Sequence, residues 1–148
     1  MQRLSKIKGI YRVLDANINR VKEGLRVCEE VVRFIINDRL LASRFKRLRH
    51  QIDVIVKNLS HKSSLLEERE AEKDVGRSIY NKRELKRNDY LDVFCANIQR
   101  VKESIRVLEE FSKLDNIRAS LGFMKIRYDI YELEKKAVKK ILSLCNHR

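Results

Sequence analysis

Apolar side chains return every three to four positions along most of this chain, the period of an amphipathic helix. A first stripe runs from Ile10 through Leu14, Val21 and Cys28 to Ile35. Asn37 or Asp38 can cap a second helix, whose inward stripe is Leu41, Phe45, Leu48, Ile52, Ile55 and Leu59. From about residue 60 to 86 the pattern weakens. There, Ser64 and Glu67 have the spacing of a capping box for a short helix, and Asp74-Val75-Gly76 reads as a break. A third helix starts at Asn81–Glu84 or at Asn88 and runs to about Lys113. Asp115 or Asn116 caps a fourth, with Leu121, Ile126, Ile130, Leu133, Ile141 and Leu144 facing inward.

The first and third helices share more than a stripe. Residues 16–30, Ala-Asn-Ile-Asn-Arg-Val-Lys-Glu-Gly-Leu-Arg-Val-Cys-Glu-Glu, return at 96–110 as Ala-Asn-Ile-Gln-Arg-Val-Lys-Glu-Ser-Ile-Arg-Val-Leu-Glu-Glu. Apolar matches are expected between any two amphipathic helices, whereas polar ones are not. Asn17/Asn97, Arg20/Arg100, Lys22/Lys102, Glu23/Glu103, Arg26/Arg106, Glu29/Glu109 and Glu30/Glu110 are all identical pairs. Phe45, Leu48, Arg49 and Ile52 likewise align with Phe123, Ile126, Arg127 and Ile130, so the repeated unit is a helical hairpin. Two hairpins burying their stripes against each other predict an all-α fold, an antiparallel four-helix bundle with a pseudo-twofold axis. The chain reads as one helical domain, 1–148, with hairpins at about 10–59 and 87–146 and an unrepeated connector at about 60–86. A connector of that length is usually functional or mobile.

On a wheel advancing about 100° per residue, Asn17 and Arg20 fall inside the apolar arc, with Gly24 beside them, whereas Lys22, Arg26 and Glu29 fall outside it. Asn97, Arg100 and Ser104 repeat the arrangement. An arginine on an apolar face needs an anion and hydrogen bonds to compensate it. One source is internal: Glu23 or a glutamate of the other half pairs with the arginine while Asn17 closes the network. The other is a ligand in a polar cavity near the pseudo-twofold axis. There Arg20 and Arg100 would hold phosphate oxygens and Asn17 or Asn97 would read a ligand edge. Arg49 and Arg127, at equivalent edges of the second and fourth helices, would extend the positive lining.

Composition narrows the chemistry. With 148 residues, 43% hydrophobic content, no proline and four glycines, one helical core is expected. No apolar run approaches the roughly 20 residues of a membrane span and the first residues do not form a signal peptide, so a cytoplasmic protein without a membrane partner is expected. A net charge of +13 invites an anionic partner. Cys28, Cys95 and Cys145 fall at apolar helical positions without a CxxC pair and read as core thiols. Phe34, Phe45, Phe94, Phe111 and Phe123 also read as core. There is no GxxxxGK[ST] or GxGxxG loop. His50, His61 and His147 lack zinc spacing, and His50 stands where the other repeat has Tyr128. Glu23, Glu103 and Asp74 are among the carboxylates able to offer oxygen to Mg²⁺. Asp74 and Gly76, with arginines on either side in the connector, also suit a lid over a magnesium nucleotide.

The strings RVLDANINRVKEGLRVCEEVVRF (12–34), LRHQI (48–52), DVG (74–76) and ANIQRVKESIRVLEEF (96–111) resemble the monofunctional hydroxymethylpyrimidine-phosphate kinase family of thiamine biosynthesis. Domains of that family occur alone or in front of thiamine-phosphate synthase. This chain departs at Cys28, where the leucine of RVLEE is replaced, and it would be a standalone form. The resemblance implies transfer of the ATP γ-phosphoryl group to 4-amino-5-hydroxymethyl-2-methylpyrimidine phosphate, with Mg²⁺. As a hypothesis for that chemistry, read from the residues themselves, Arg20 and Arg100 would clamp phosphates, assisted by Arg49 and Arg127. Asn17 or Asn97 would orient a substrate, Asp74 and Gly76 would contribute from the connector, and Glu23, Glu103 or Asp74 would hold the metal.

Two rivals make different demands. A basic RNA-binding module needs an exposed arginine and lysine stripe with aromatics free to stack. A non-catalytic interaction bundle needs Arg20 and Arg100 paired with protein carboxylates around a filled centre. The expectation is small-molecule substrates and no nucleic acid; oligomeric state, a homo-oligomer included, is left open.

Overall fold

A computed structural model describes the backbone of residues 2–59 and 62–146, with side chains from residue 9 onward in those ranges. His61 and His147 lie outside the described residues. The long helices are α1 (Gln2–Glu30), α2 (Arg39–Lys57), α4 (Tyr90–Ser112) and α5 (Ile117–Cys145), and a short α3 (Lys62–Glu67) follows α2. No helix among the described residues is long and apolar enough to cross a membrane. The all-α expectation holds.

Of the proposed caps, Asp38 and Asn116 are the ones used: their side chains accept from the backbone N–H of Leu41 and Ala119. Helix α4 starts later than Asn81 or Asn88, at a cap formed by Asp89, which accepts from Asp92 N–H. Asn81 instead caps a single 3₁₀ turn, Lys82–Leu85. Ser64 lies inside α3 rather than at its start, so the capping box does not form.

Helix α1 ends in a π turn, Val31–Ile35, in which Ile36 N–H donates to Val31 C=O. The extra residue in that turn rotates the apolar ridge by one position. Ile36 is therefore buried, while Ile35 and Phe34, both expected inside, are exposed. Leu121, Leu144 and Phe111 also leave the core, and Phe123 and Ala119 fill the inward side of the first turns of α5. Phe45, Phe94 and Phe123 are fully buried, and Phe45 meets Phe94 edge-on at 5.9 Å between ring centres, joining the two hairpins.

Helices α1 and α4, the duplicated pair, pack most extensively and run antiparallel. Two contacts fix the direction: Gly24 lies against Asn97 and Val101, and one turn later Cys28 Sγ donates to the Phe94 carbonyl at 3.7 Å. A Cβ on Gly24 would stand 2.6 Å from Val101 Cγ2 and 3.1 Å from the Asn97 carbonyl. Gly122 does the same for α5 and α2, where a Cβ would stand 2.8 Å from Ile55 Cδ1. A glycine thus sits at each crossing of like helices, against backbone as well as side chain at Gly24 and against the end of one side chain at Gly122.

This arrangement makes α2 and α4 run in the same direction. Lys22 bonds Asp53, so α2 ends near the middle of α1; Cys28 bonds Phe94, so α4 starts beside the C-terminal end of α1. The connector must travel back by roughly 20 Å, a span that about six extended residues would cover. Topology requires a crossover but not one this long. Its first part is docked: Arg69 forks onto buried Asp15 with two 2.7 Å bonds, and Arg12 donates to the Glu70 carbonyl at 3.1 Å. Beyond that, residues 71–89 are all exposed, Val75, Ile79, Tyr80 and Leu85 among them.

Candidate functional site

The repeated polar residues divide by what the fold does with them. Glu29 and Glu109 are almost wholly buried, and each accepts two bonds from one arginine: Arg49 at 2.8 and 2.6 Å, Arg127 at 2.6 and 3.3 Å. Arg49 and Arg127 therefore lock α1 to α2 and α4 to α5, each engaged by a buried protein carboxylate. The hydrogen bond to Glu109, then that to Tyr131, holds the Arg127 guanidinium above its ordinary value. The repeated Lys22 and Lys102 each also tie their hairpin, but to carboxylates at non-equivalent positions, Asp53 at 2.6 Å and Glu134 at 3.0 Å. Arg26 and Arg106 lie beside Glu29 with Glu30 and Glu109 with Glu110.

Asn17 and Asn97 donate to carbonyls of their own helices, Val13 at 2.9 Å and Val93 at 2.8 Å. Asn17 is buried and Asn97 half-buried. Each amide satisfies a backbone acceptor one turn back with one of its two N–H donors.

Arg20 and Arg100 do not enter the bundle. Both are exposed, and Arg20 reaches only the Asn17 amide oxygen, at 3.5 Å. At Gly24 the two helices approach closely, and side chains at the edge of the apolar arc, Arg20 and Arg100 among them, are turned outward. The antiparallel register sets Arg20 at the level of Lys102 and Arg100 at that of Lys22, within one helical turn of each other. The pseudo-twofold axis then puts both on the outer face of the α1/α4 pair, opposite α2 and α5. Half-buried Val13, Ala16, Val27, Val93, Ala96 and Val107 floor that face, and exposed Glu23 and Glu103 border it.

Among the described residues, none of Arg20, Arg100, Glu23 and Glu103 forms an ion pair. Glu103 accepts only from Gln99, at 3.2 Å. These two pairs are the repeated polar residues to which the fold gives no ion-pairing task.

The connector residues stand apart. Asp74 Oδ1 accepts from Gly76 N–H at 2.9 Å, closing an exposed turn of its own. No hydrogen bond or ion pair among the described residues ties Asp74 or Gly76 to the four outer-face charges. No group of three or more His, Cys, Asp or Glu side chains among the described residues forms a metal cluster. A Mg²⁺ that arrives on phosphates needs only one or two protein carboxylates, and Glu23 and Glu103 are exposed carboxylates on this face.

Other thiol and carboxylate positions differ from expectation. Cys28 is a core thiol, but Cys95 and Cys145 are exposed, on helix faces that point to solvent. Burial pushes the Cys28 thiol up, and burial does the same to the Tyr11 phenol, with Asp115 hydrogen bonding to it. The wheel missed the burial of Glu29 and Asp15; the signal for Glu29 was its recurrence beside an equally recurrent Arg49.

Residues 12–136 match the ThiD2 family. Over 125 residues the chain is 38% identical to proteins named thiamine-phosphate synthase from Nostoc punctiforme and Synechocystis, and over 131 residues 37% identical to the one from Rhodopirellula baltica. These alignments cover 84–86% of this chain but 34–35% of the relatives, so the chain spans about a third of their length. No solved structure matches the chain. The chain belongs to the ThiD2 family and is kin to enzymes of thiamine biosynthesis.

Proposed function

We propose that this protein acts in thiamine biosynthesis by transferring the γ-phosphoryl group of ATP to 4-amino-5-hydroxymethyl-2-methylpyrimidine phosphate. One observation supports placing the reaction on the outer α1/α4 face. Arg20/Arg100 and Glu23/Glu103 recur in both halves although, among the described residues, they form no ion pairs. The synthase activity in the relatives' name is not carried over, because the chain aligns with only about a third of each.

In the proposed reaction an oxygen of the pyrimidine's phosphate attacks the γ-phosphorus. The bond from that phosphorus to the β–γ bridging oxygen breaks, ADP leaves, and the pyrimidine diphosphate forms. The attacking group is a phosphomonoester with a second pKa of about 6; near neutrality it is already anionic and needs no general base. What the protein must supply is alignment and charge compensation. Arg20 and Arg100, within one turn of each other on one face, would bridge the two phosphate groups. Bound Mg²⁺ would neutralise nucleotide oxygens, held by Glu23 or Glu103. The half-buried valines and alanines between the arginines offer a flat apolar floor for a ring.

The exposure of the arginines removes one argument against a nucleic-acid partner, but the relatives lend support neither to that reading nor to a non-catalytic bundle. The test is purified protein with Mg-ATP and the pyrimidine monophosphate, followed for diphosphate. Arg20→Ala and Arg100→Ala should each lower kcat/KM by about 100-fold, with stability within about 0.5 kcal/mol of wild type. A wild-type protein that transfers no phosphoryl group, or variants that turn over normally, would defeat the proposal.

A further inference from the structure

The α1/α2 seam differs from its copy between α4 and α5 in how its cations are compensated. In the second hairpin Arg106 bonds Glu109 at 2.9 Å and Glu110 at 3.1 Å, and Lys113 bonds Glu110 at 2.7 Å. Met124 is uncharged, and the Arg127 guanidinium covers Tyr128, 4.9 Å from its ring centre. The counterparts in the first hairpin are Arg26, Arg33, Lys46 and His50. Arg26 stands 3.8 Å from both Glu29 and Glu30. Arg33 lies over the Phe34 ring at 4.8 Å, and among the described residues neither it nor Lys46 forms an ion pair.

These four side chains line a concavity of about 290 Å³ between α1 and α2. Its two carboxylates already have partners, Glu29 with Arg49 at 2.6 Å and Asp53 with Lys22 at 2.6 Å. Arg49 lines the hollow as well, so four cations and an imidazole border it, against two carboxylates that are both committed.

We infer that this hollow is a second anion site, which takes the phosphate group of a small phosphorylated molecule or free inorganic phosphate. Arg26 and Arg33 present planar forks that match phosphate oxygens, Lys46 a compact charge, and His50 a ring donor. A surplus of fixed cations in a recess concentrates anions there. The volume is at the lower limit for enclosing a drug-sized ligand, roughly 300 Å³, so a phosphate would sit inside with any remainder in solvent. The site lies on a different seam from Arg20 and Arg100 and does not depend on the proposed catalysis.

The test uses the full chain, titrated with inorganic phosphate and separately with a pyrimidine nucleoside monophosphate, and followed by NMR. Resonances of Arg33, Lys46 and His50 should shift saturably in the wild type and equally in an Arg20→Ala/Arg100→Ala protein. In a Lys46→Met/His50→Tyr protein the dissociation constant should rise at least tenfold. The second hairpin carries those residues at the same positions, so the fold already accommodates them there. If that variant melts early, Arg33→Ala, at an exposed helix end, replaces it with the same expectation. Tighter binding of the monophosphate would identify an organic phosphate as the ligand, and equal binding free phosphate. Identical shifts with chloride at matched ionic strength, unchanged affinity in the variants, or shifts confined to the α1/α4 face would overturn the inference.

Discussion

The two hairpins keep the same lock and finish it differently. A buried glutamate forked by an arginine joins α1 to α2 and again α4 to α5, with a shortest contact of 2.6 Å in each. Around the second lock, Arg106 closes tightly and Arg127 also lies 5.7 Å from the Tyr131 ring, which packs edge-on against Tyr128. Around the first, Arg26 stands off, and His50 and Asp53 replace the tyrosines. Duplication preserved what holds each pair of helices together and released what covers it. Identity between repeats therefore marks structure here, and divergence marks candidate specialisation. The exception is the outer α1/α4 face, where, among the described residues, identical charges form no ion pair.

The largest effect should come from the locks themselves. Glu29→Ala and Glu109→Ala each strand a mostly buried guanidinium, and each should cost about 3–5 kcal/mol, measured by urea denaturation. Added phosphate should restore part of the loss in Glu29→Ala, where cations face an open hollow, and none in Glu109→Ala. Equal rescue of both would erase the difference between the seams.

The next effect is at the crossing. Gly24→Ala would push a methyl to 2.6 Å from a branched side chain in the core. Overpacking should outweigh the gain of about 1 kcal/mol in helix propensity, for a net loss of about 1–2 kcal/mol. Its counterpart Ser104 already has a Cβ, so Ser104→Ala should change stability by less than 1 kcal/mol, roughly. If the two cost the same, the close approach is shared equally by both repeats.

The smallest difference is chemical. Cys28 stands where the second repeat has Leu108, and both are fully buried. Alkylation of the native protein near neutral pH should label Cys95 and Cys145 and spare Cys28, as counted by mass spectrometry. Because burial holds the Cys28 thiol above its ordinary value, ionising it opposes folding, and that loss begins only as pH rises past the ordinary thiol value. Rapid labelling of all three thiols would contradict the packing described for α1.

The helices, their pairing into hairpins and the pseudo-symmetry were legible because period and repetition are local signals. Buried Glu29 was not, since a wheel scores residue types and cannot see an arginine arriving from α2. Arg20 and Arg100 were placed inside because the wheel treats the whole apolar arc as equally deep; the arc's edge is set by how closely α4 approaches at Gly24. Ile35 was displaced by a π turn, which has no reliable mark in composition. His50 opposite Tyr128 was visible from the alignment of the repeats, but the hollow beside it depends on Arg26 standing off from its glutamates, and only coordinates show that.

The antiparallel crossing of α1 and α4 has the geometry of an isologous dimer, in which one patch meets its own copy. Tethering the halves replaces association between separate molecules with an effective concentration on the order of millimolar, so assembly no longer depends on how much protein is present. It also removes a constraint. In a homodimer every substitution appears twice, whereas one continuous chain can carry Met124 and Tyr128 on one side and Lys46 and His50 on the other.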